Sequence, residues 1–331
     1  MPFSKRKLAA TPIRCAAFIG LGATERRLRA EAAGAVYGPV CFILGPPRSG
    51  TTLVYEMLVR RFGMSYTSNL ANFLFTTPAA ATRLGLRHVE AWRKTGGGRY
   101  ENEYGQIAGW GAPNEGGNLW DRWLPRDEHV AGDHAKKVPA ERIRRTMEAL
   151  ARVMGGPFVN KNVMHSVHME LLDRIFPGCV FVQVERDPLA NVRSIVRYRL
   201  DHVRRPEDLR KWRSVKPRAW KRFAGQHHAV QAAAQVLFTH ADVRAAAADL
   251  GDDRRFELGY EAMCADPEGM LEAVGRFLRG HGVKLNAGDP VSGSFSASAG
   301  KPMDDESEQL AVKAIDAITA EIGSPTSGSG T

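Results

Sequence analysis

The sequence predicts an α/β protein with three layers, in which helices flank a central parallel sheet. The stretch CFILGPPRSGTTLVYEML (41–58) has the order of a strand, a glycine loop and a helix. The stretch CVFVQVERD (179–187) is a continuous apolar run that ends in charge, as expected for a strand buried on both faces. Predicted strands alternate with predicted helices along the chain, and this alternation is typical of a parallel sheet covered on both faces.

Most predicted elements have a local start or stop signal. The Gly38-Pro39 break leads into the first strand, and Gly63 ends the first helix. Because proline is favoured at the first position of a helix, Pro188 opens the helix PLANVRSIVRYRL. The predicted strands are Val40–Leu44, 157–162, 179–187 and 255–259. The predicted helices are Thr51–Phe62, 140–153, Ser166–Phe176, the helix opened by Pro188, 219–249, 267–280 and 305–322.

We divide the chain into a basic N-terminal arm (1–35), one domain (36–322) and a disordered tail (323–331). Within the domain, residues 64–135 are rich in glycine, tryptophan and asparagine, a composition that suits no single regular element. We expect a long functional loop, a lid or a substrate-binding insertion there. Its tryptophans either form an aromatic or sugar-binding surface or belong to the core: Trp110, Trp120 and Trp123.

Composition and charge narrow the class of partner. A net charge of +10 and a pI of about 9.6 favour an anionic partner, and a basic solvated surface is the simpler alternative. We find no zinc-finger spacing and no RNP-type aromatic motif, so nucleic acid is not the expected partner. No apolar run approaches the roughly 20 residues that span a bilayer. We expect a cytoplasmic protein, with a peripheral contact to an anionic membrane as the alternative.

The four cysteines lie far apart and form no CxxC or CxxH pair. A disulfide framework is therefore not expected in a chain of this length. Cys41 and Cys179 lie inside apolar runs, where we expect buried, reduced thiols.

The loop after the first strand has the residue types of a phosphate cradle. Four residues separate Gly45 from Gly50, as in a P-loop, but Thr51 stands where the GxxxxGK[ST] motif has lysine. At a helix N-terminus, unpaired N–H groups and the helix dipole favour an anion. Arg48 adds a planar, permanently charged fork, and a plain tight turn is the alternative. The N–H and hydroxyl donors are Ser49, Gly50, Thr51 and Thr52.

The segment PPRSGTTL resembles the 5′-phosphosulfate loop of sulfotransferases that use 3′-phosphoadenosine 5′-phosphosulfate (PAPS). Many members have lysine in place of Arg48, and the arginine version resembles tyrosylprotein sulfotransferases and many bacterial ones. The resemblance implies a P-loop-like fold and a second site for the 3′-phosphate. In the family that site pairs an arginine at a strand end with a serine eight positions on, which here are Arg186 and Ser194. Either residue alone is equally explained as structural.

Two weaker similarities extend the resemblance. The segment YEAMCADPEGMLEAVGRFLRG resembles the family segment whose tyrosine lies near the adenine, which assigns Tyr260 to that role or to the core. The segment SGSFSASAGKP resembles the loop that closes over the 3′-phosphate, or it is a flexible linker. Its candidate residues are Ser296, Ser298 and Lys301.

The general base has several candidates. In the tyrosylprotein branch a glutamate follows the first helix, but the corresponding SYTSNLANFLF contains no acid. Glu115 lies in a segment that resembles an acidic P-x-E segment of some bacterial members. His165 lies in NKNVMHS, which resembles a K-x-P-x-H segment. Lys161 could stabilise charge on the sulfate, and His168 could share a helix face with His165. Solvated or capping roles remain open for Glu115 and the histidines.

The sequence therefore favours a PAPS-dependent sulfotransferase that requires no metal and acts on a hydroxyl or amine. Its acceptor remains open among small molecules, carbohydrates, lipids and peptides, as does a homodimer. The first rival is a P-loop kinase or NTPase, which needs the missing lysine and an acidic magnesium ligand. Glu185 and Asp187 flank Arg186, but they are poorly suited to magnesium. The second rival is a non-catalytic module that binds PAP, the desulfated donor.

Overall fold

A four-stranded parallel sheet with the strand order β2-β1-β3-β4 forms the centre of the fold, as predicted. The strands of this computed structural model are β1 (Cys41–Leu44), β2 (Val159–Lys161), β3 (Val180–Glu185) and β4 (Arg255–Gly259). The structure describes residues 11–324 except 33, 35, 96–106, 125–127, 130–132, 204, 289 and 292. The start of the predicted arm and almost all of the predicted tail lie outside the described residues.

Helices cover both faces of the sheet. The longer helices are α1 (Thr11–Glu31), α2 (Thr51–Arg61), α5 (Leu86–Thr95), α8 (Ala140–Met154), α10 (Pro188–His202), α11 (His228–Leu250), α13 (Pro267–Gly280) and α14 (Asp305–Gly323). The shorter ones are α3 (Asn69–Phe73), α4 (Pro78–Leu84), α6 (Gly117–Trp120), α7 (Asp133–Lys136), α9 (Met169–Ile175) and α12 (Tyr260–Ala265). Short 3-10 turns lie at Val163–Val167, Pro206–Arg210, Trp220–Arg222 and Asp252–Arg254.

Strand β1 is buried on both faces because its side chains alternate between two cores. Phe42 and Leu44 pack with residues of α1, α4, α8, α9 and α11. Cys41 and Ile43 point the other way and pack with residues of α2, α12 and α13. Continuous apolar runs are what such doubly covered parallel strands require. Cys41 and Cys179 are buried, free thiols, as predicted.

The N-terminal arm forms a helix over Thr11–Glu31. Helix α1 packs on α4 and α8, with Leu28 and Ala32 in the core. The Glu25 carboxylate accepts a hydrogen bond of 2.9 Å from the Ala80 N–H. Burial raises the pKa of Glu25, against the effect of that bond and of Arg29. Residues 11–31 therefore belong to the folded body. Among the described residues, no helix is long and apolar enough to cross a membrane.

The predicted long helix 219–249 begins later than expected, at His228. Residues Trp220–Arg222 form a separate 3-10 turn, and Gly225 adopts a positive φ of 81° that breaks the helix. His227 then caps α11, because its Nδ1 accepts a hydrogen bond from the Ala229 N–H. The alanine-rich composition predicted the helix but not its first turn.

The segment 64–135 contains several short helices joined by turns, in agreement with the prediction that it is no single element. Two isolated bridges anchor it, Ser65 to Phe158 and Ser68 to Pro113. Trp120 is buried against Phe42 and His165 and belongs to the core, whereas Trp110 is exposed. The three tryptophans therefore do not form one aromatic surface.

Candidate active site

The carboxyl ends of the strands border a cavity of about 620 Å³. It lies beside β1, whose neighbours β2 and β3 extend the sheet in opposite directions. Such a switch point is where open α/β sheets bind ligands. The cavity is lined by these residues singled out from the sequence: Arg48, Gly50, Thr51, Thr52, Glu115, Lys161, Arg186, Tyr260 and Ser296.

The glycine loop turns sharply from β1 into α2. Arg48 and Gly50 both have positive φ, 67° and 94°. For arginine this left-handed conformation is strained, and strain of this kind concentrates at functional sites. Gly50 is the N-cap of α2, so the loop presents the N-terminal end of the helix dipole to the cavity. An anion held there would meet N–H groups, the Thr51 and Thr52 hydroxyls, and the Arg48 guanidinium.

Side chains from the elements that follow β2 and β3 hold the loop in place. The Ser166 hydroxyl accepts from the Gly45 N–H at 2.9 Å and donates to the Gly45 carbonyl at 3.2 Å. Asn191 on α10 donates to the Pro47 carbonyl at 2.7 Å. Ser49 donates its hydroxyl to the Pro46 carbonyl, so it contributes to the shape of the loop from a buried position. Ser166 and Asn191 were not identified from the sequence, although each lies close to a motif that was.

Gly50→Ala is expected to disrupt this loop. A Cβ at Gly50 would collide with the ring of Tyr260, in addition to occupying a positive φ. The backbone conformation alone costs about 1–2 kcal/mol. We expect isothermal titration calorimetry with PAP, the nucleotide expected from the sequence, to show a loss of binding. The matched control is Gly178→Ala, where φ is 79° and a Cβ meets no heavy atom within 4 Å. The control should lose similar stability and keep binding; equal binding in both variants would contradict this role for the loop.

Arg186 and its neighbours form a second polar cluster next to the loop. Arg186 is 8% exposed and lies directly after β3. Its guanidinium donates to the Arg48 carbonyl at 2.8 Å and to the Ser298 carbonyl, and lies 4.9 Å from the Tyr260 ring centroid. Ser194 accepts a hydrogen bond of 3.3 Å from Arg48 Nε. The two regions predicted to bind different phosphates of one donor are therefore in direct contact.

The remaining residues of the predicted nucleotide site are placed differently. Burial raises the pKa of the Tyr260 hydroxyl to about 12, so the ring stays neutral beside the loop. Ser298 contacts Arg186 through its carbonyl, while its hydroxyl accepts from the Gly300 N–H at 3.2 Å. Ser296 lines the cavity, but Lys301 is exposed and does not. Of the described residues in this part of the C-terminal loop, Phe295 and Ser296 line the cavity, whereas Ser298 and Lys301 do not.

Glu115 is the only acidic residue among the described residues that line the cavity. Its Oε1 forms an ion pair with Lys161. No described residue contacts the other oxygen, Oε2, through a hydrogen bond. The Glu115 carbonyl accepts from the side-chain amides of Asn160 and Asn162, at 3.4 and 3.5 Å. The NKN segment at the end of β2 therefore positions this carboxylate.

The structure places His165 away from the cavity, and we assign it no proton transfer. Its ring is buried between Phe42 and Trp120, and Nε2 donates to Asn160 Oδ1 at 2.8 Å. Burial, with a smaller effect of His168, lowers the pKa of His165 well below its usual value. His165 therefore supports Asn160, which in turn contacts Glu115. The K-x-P-x-H spacing did not reveal which way this 3-10 turn directs its ring.

His168 is also buried and does not line the cavity. Its Nε2 donates to the Glu128 carbonyl at 2.9 Å, and burial lowers its pKa to about 4. The acids that flank Arg186 are likewise engaged elsewhere. Glu185 accepts from Arg244 at 2.6 Å, and Asp187 caps α10 by accepting from the Ala190 N–H. Among the described residues, no group of histidine, cysteine and acidic side chains has the arrangement of a metal site.

Comparisons with known proteins identify a family. The sequence model of the sulfotransferase family matches residues 39–280. No curated protein matches the chain in sequence. Among solved structures, the chain is similar to sulfotransferase STF9 from Mycobacterium avium, with 18% identity, a TM-score of 0.49, and coverage of 92% of this chain and 73% of that one. It is also similar to sulfotransferase STF1 from Mycobacterium tuberculosis H37Rv, with 13% identity, a TM-score of 0.47, and coverage of 92% of this chain and 81% of that one. A third similar structure is a sulfotransferase from Alicyclobacillus acidocaldarius, with 14% identity, a TM-score of 0.43, and coverage of 87% of this chain and 97% of that one.

Proposed function

The chain belongs to the sulfotransferase family, and from this premise we propose that it transfers a sulfuryl group from PAPS to a hydroxyl or amine. One observation carries the proposal. The glycine loop, Arg186 and the Glu115 carboxylate all line the same cavity. A bisphosphorylated donor needs two cationic sites, and an acceptor needs a group that removes its proton. The cavity offers both.

The donor would be held by its two ends. The 5′-phosphosulfate would lie on the loop 45–52, where α2 begins and Thr51 and Thr52 line the cavity. Arg186 would form a bidentate pair with the 3′-phosphate, which suits its planar fork. Ser194 would assist it, and the adenine would lie against the Tyr260 ring. PAPS would be a substrate that is consumed in each turnover, and the proposed reaction uses no metal and no permanently bound group.

The chemical step is an in-line displacement at sulfur. The acceptor oxygen or nitrogen forms a bond to sulfur while the bond between sulfur and the 5′-phosphate oxygen breaks. The electron pair of that bond leaves with PAP, whose new negative charge is stabilised by Arg48 and the N–H groups of the loop. Glu115 Oε2 takes the acceptor proton. Lys161 holds Glu115 Oε1 and offers positive charge beside the transferring group.

A thermal-shift series tests the donor. At a concentration 100 times its Kd, a ligand that binds only the folded state stabilises it by about 2.7 kcal/mol. We expect PAP to raise the melting temperature by several degrees, 5′-AMP to raise it less, and ATP with magnesium to have little effect. The reason is that only PAP places a phosphate on Arg186. Stabilisation by ATP and magnesium alone would favour the kinase alternative and overturn the proposal.

Turnover separates an enzyme from a binding module. We expect transfer of radiolabelled sulfate from PAPS to at least one member of a panel of phenols, alcohols, sugars and amines. Binding of PAP without transfer to any member would favour the non-catalytic alternative. The two measurements use the same purified protein, so a misfolded sample would fail the melting experiment first.

A further inference from the structure

A second basic surface lines the cavity beyond the proposed donor groups. It consists of Arg199 on α10, Gln235 on α11, and Arg213 and Ser214 in the segment between these helices. We call these four residues the arginine wall. No acidic residue belongs to it, and Glu115, the one described acid that lines the cavity, is paired with Lys161.

Arg199 is a buried cation whose hydrogen-bond partners are neutral. It is 2% exposed, and it donates to the His228 carbonyl at 3.3 Å and to Gln235 Oε1 at 3.2 Å. No described carboxylate lies within ion-pair distance of it. Burial, and then the charge of Arg213, lower the pKa of Arg199 to about 10, so it remains protonated at neutral pH. A buried charge without a counter-ion is costly, and a bound anion would remove that cost.

Gln235 connects the two arginines. Its Oε1 accepts from Arg199, while its Nε2 donates to the carbonyls of Arg213 and Val215, both at 2.7 Å. These bonds hold the turn in which Ser214 adopts a positive φ of 68°. A non-glycine residue keeps such a conformation only where its surroundings impose it. The same side chain thus places Arg213 on the cavity and orients Arg199 toward it.

The arginine wall is separate from the groups assigned to the donor. Arg199 lies five residues beyond Ser194 on α10, which is about 7.5 Å along a helix. Arg48 donates to Ser194, and Arg186 donates to the carbonyls of Arg48 and Ser298, so these hydrogen bonds lie on the side of the cavity assigned to the donor. The anions of PAPS are therefore matched by one pair of arginines, and a second pair remains on the same cavity.

From this arrangement we infer that the acceptor carries an oxyanion, namely a carboxylate, sulfate or phosphate group, that binds to Arg199 and Arg213. This inference rests on the proposed function, because it places the acceptor in the part of the cavity that PAPS leaves open. The anion would orient the acceptor so that its nucleophilic atom faces Glu115 and the sulfur. A neutral acceptor of the same shape would bind more weakly.

The test uses inorganic sulfate as the probe in protein saturated with PAP. Its binding is measured by equilibrium dialysis with radiolabelled sulfate. We expect Arg213→Ala to weaken sulfate binding about tenfold or more, as expected for loss of a hydrogen bond to a charged group. PAP affinity should stay within about twofold. The matched control is Arg210→Ala, which removes an exposed arginine that does not line the cavity, and it should leave both affinities unchanged.

Each outcome decides between the two proposals. Equal sulfate binding by wild type, Arg213→Ala and Arg210→Ala would overturn the anionic acceptor, as would failure of wild type to bind sulfate. A parallel loss of PAP affinity in Arg213→Ala would also overturn it, because Arg213 would then belong to the donor site. If wild type does not bind PAP at all, the donor proposal fails, and sulfate binding is still measurable. Gln235→Leu, which removes the link between the arginines, should weaken sulfate binding in the same direction.

Discussion

Arg186→Ala is expected to lower the affinity for PAP by about 30-fold or more, since loss of one partner of a buried, charge-assisted pair costs about 2–5 kcal/mol. Calorimetric titration of PAP measures the effect. Arg186 is buried at the end of β3 beside the Tyr260 ring. Arg48, which also contacts Ser194, is assigned to the 5′-phosphosulfate. The 3′-phosphate would lose the fork that we assign to pair with it in two hydrogen bonds.

The controls for Arg186→Ala are a second ligand, 5′-AMP, and a second variant, Arg186→Lys. Arg186 also holds the Arg48 carbonyl, so its removal could loosen the loop itself. A loosened loop would weaken 5′-AMP, which lacks the 3′-phosphate, as much as PAP. We expect 5′-AMP affinity to change by no more than about threefold. Arg186→Lys, which keeps the charge and loses the fork, should fall between wild type and Arg186→Ala. Unchanged PAP affinity in Arg186→Ala would contradict the 3′-phosphate assignment.

Glu115→Gln is expected to lower kcat by about 100- to 10,000-fold, the usual contribution of a general base, with little change in PAP affinity. The amide oxygen of glutamine can still accept a hydrogen bond from Lys161, so the cavity keeps its shape. Steady-state rates with saturating PAPS measure the effect. Glu141→Gln is the matched control, because Glu141 is also ion-paired but lies on α8 and does not line the cavity.

The choice of acceptor distinguishes two roles of Glu115, removal of the acceptor proton and positioning of the acceptor. A phenol with a low pKa is already ionised at neutral pH, so no base is needed to activate it. The deficit of Glu115→Gln should therefore shrink for such an acceptor and stay large for an alcohol. A deficit of the same size for both would show that Glu115 positions the substrate without removing its proton.

The side of the cavity that we assign to the donor could be located from the sequence because its signals are local. The loop 45–50 joins a strand directly to a helix, and Arg186 and Ser194 lie on either side of one helix start. The topology then brings the two segments together, since β1 and β3 are adjacent parallel strands and the ends of parallel strands meet at one edge of the sheet.

The acceptor side was predictable only in part. Glu115 was a candidate from the sequence. Its carbonyl is held by the side-chain amides of Asn160 and Asn162, and these bonds depend on the packing of the insertion against the end of β2, which the sequence does not indicate. Arg199 and Gln235 lie on different helices, and no spacing in the sequence indicates their contact. His165 was also a candidate, but its ring is buried between Phe42 and Trp120, and a motif spacing does not specify which way a side chain points. Tertiary packing decides these positions, and sequence motifs do not encode it.

The bonds that hold the glycine loop also bear on how fast a ligand enters. Ser166, Asn191 and Arg186 fix the loop through Gly45, Pro47 and Arg48. Ordering a free loop costs about 1–2 kcal/mol of conformational entropy for each residue. Because this loop is already ordered before a ligand binds, binding requires little further loss of conformational entropy. Nucleotide entry should therefore be a single bimolecular step whose observed rate rises linearly with concentration, without the plateau that a preceding rearrangement would impose.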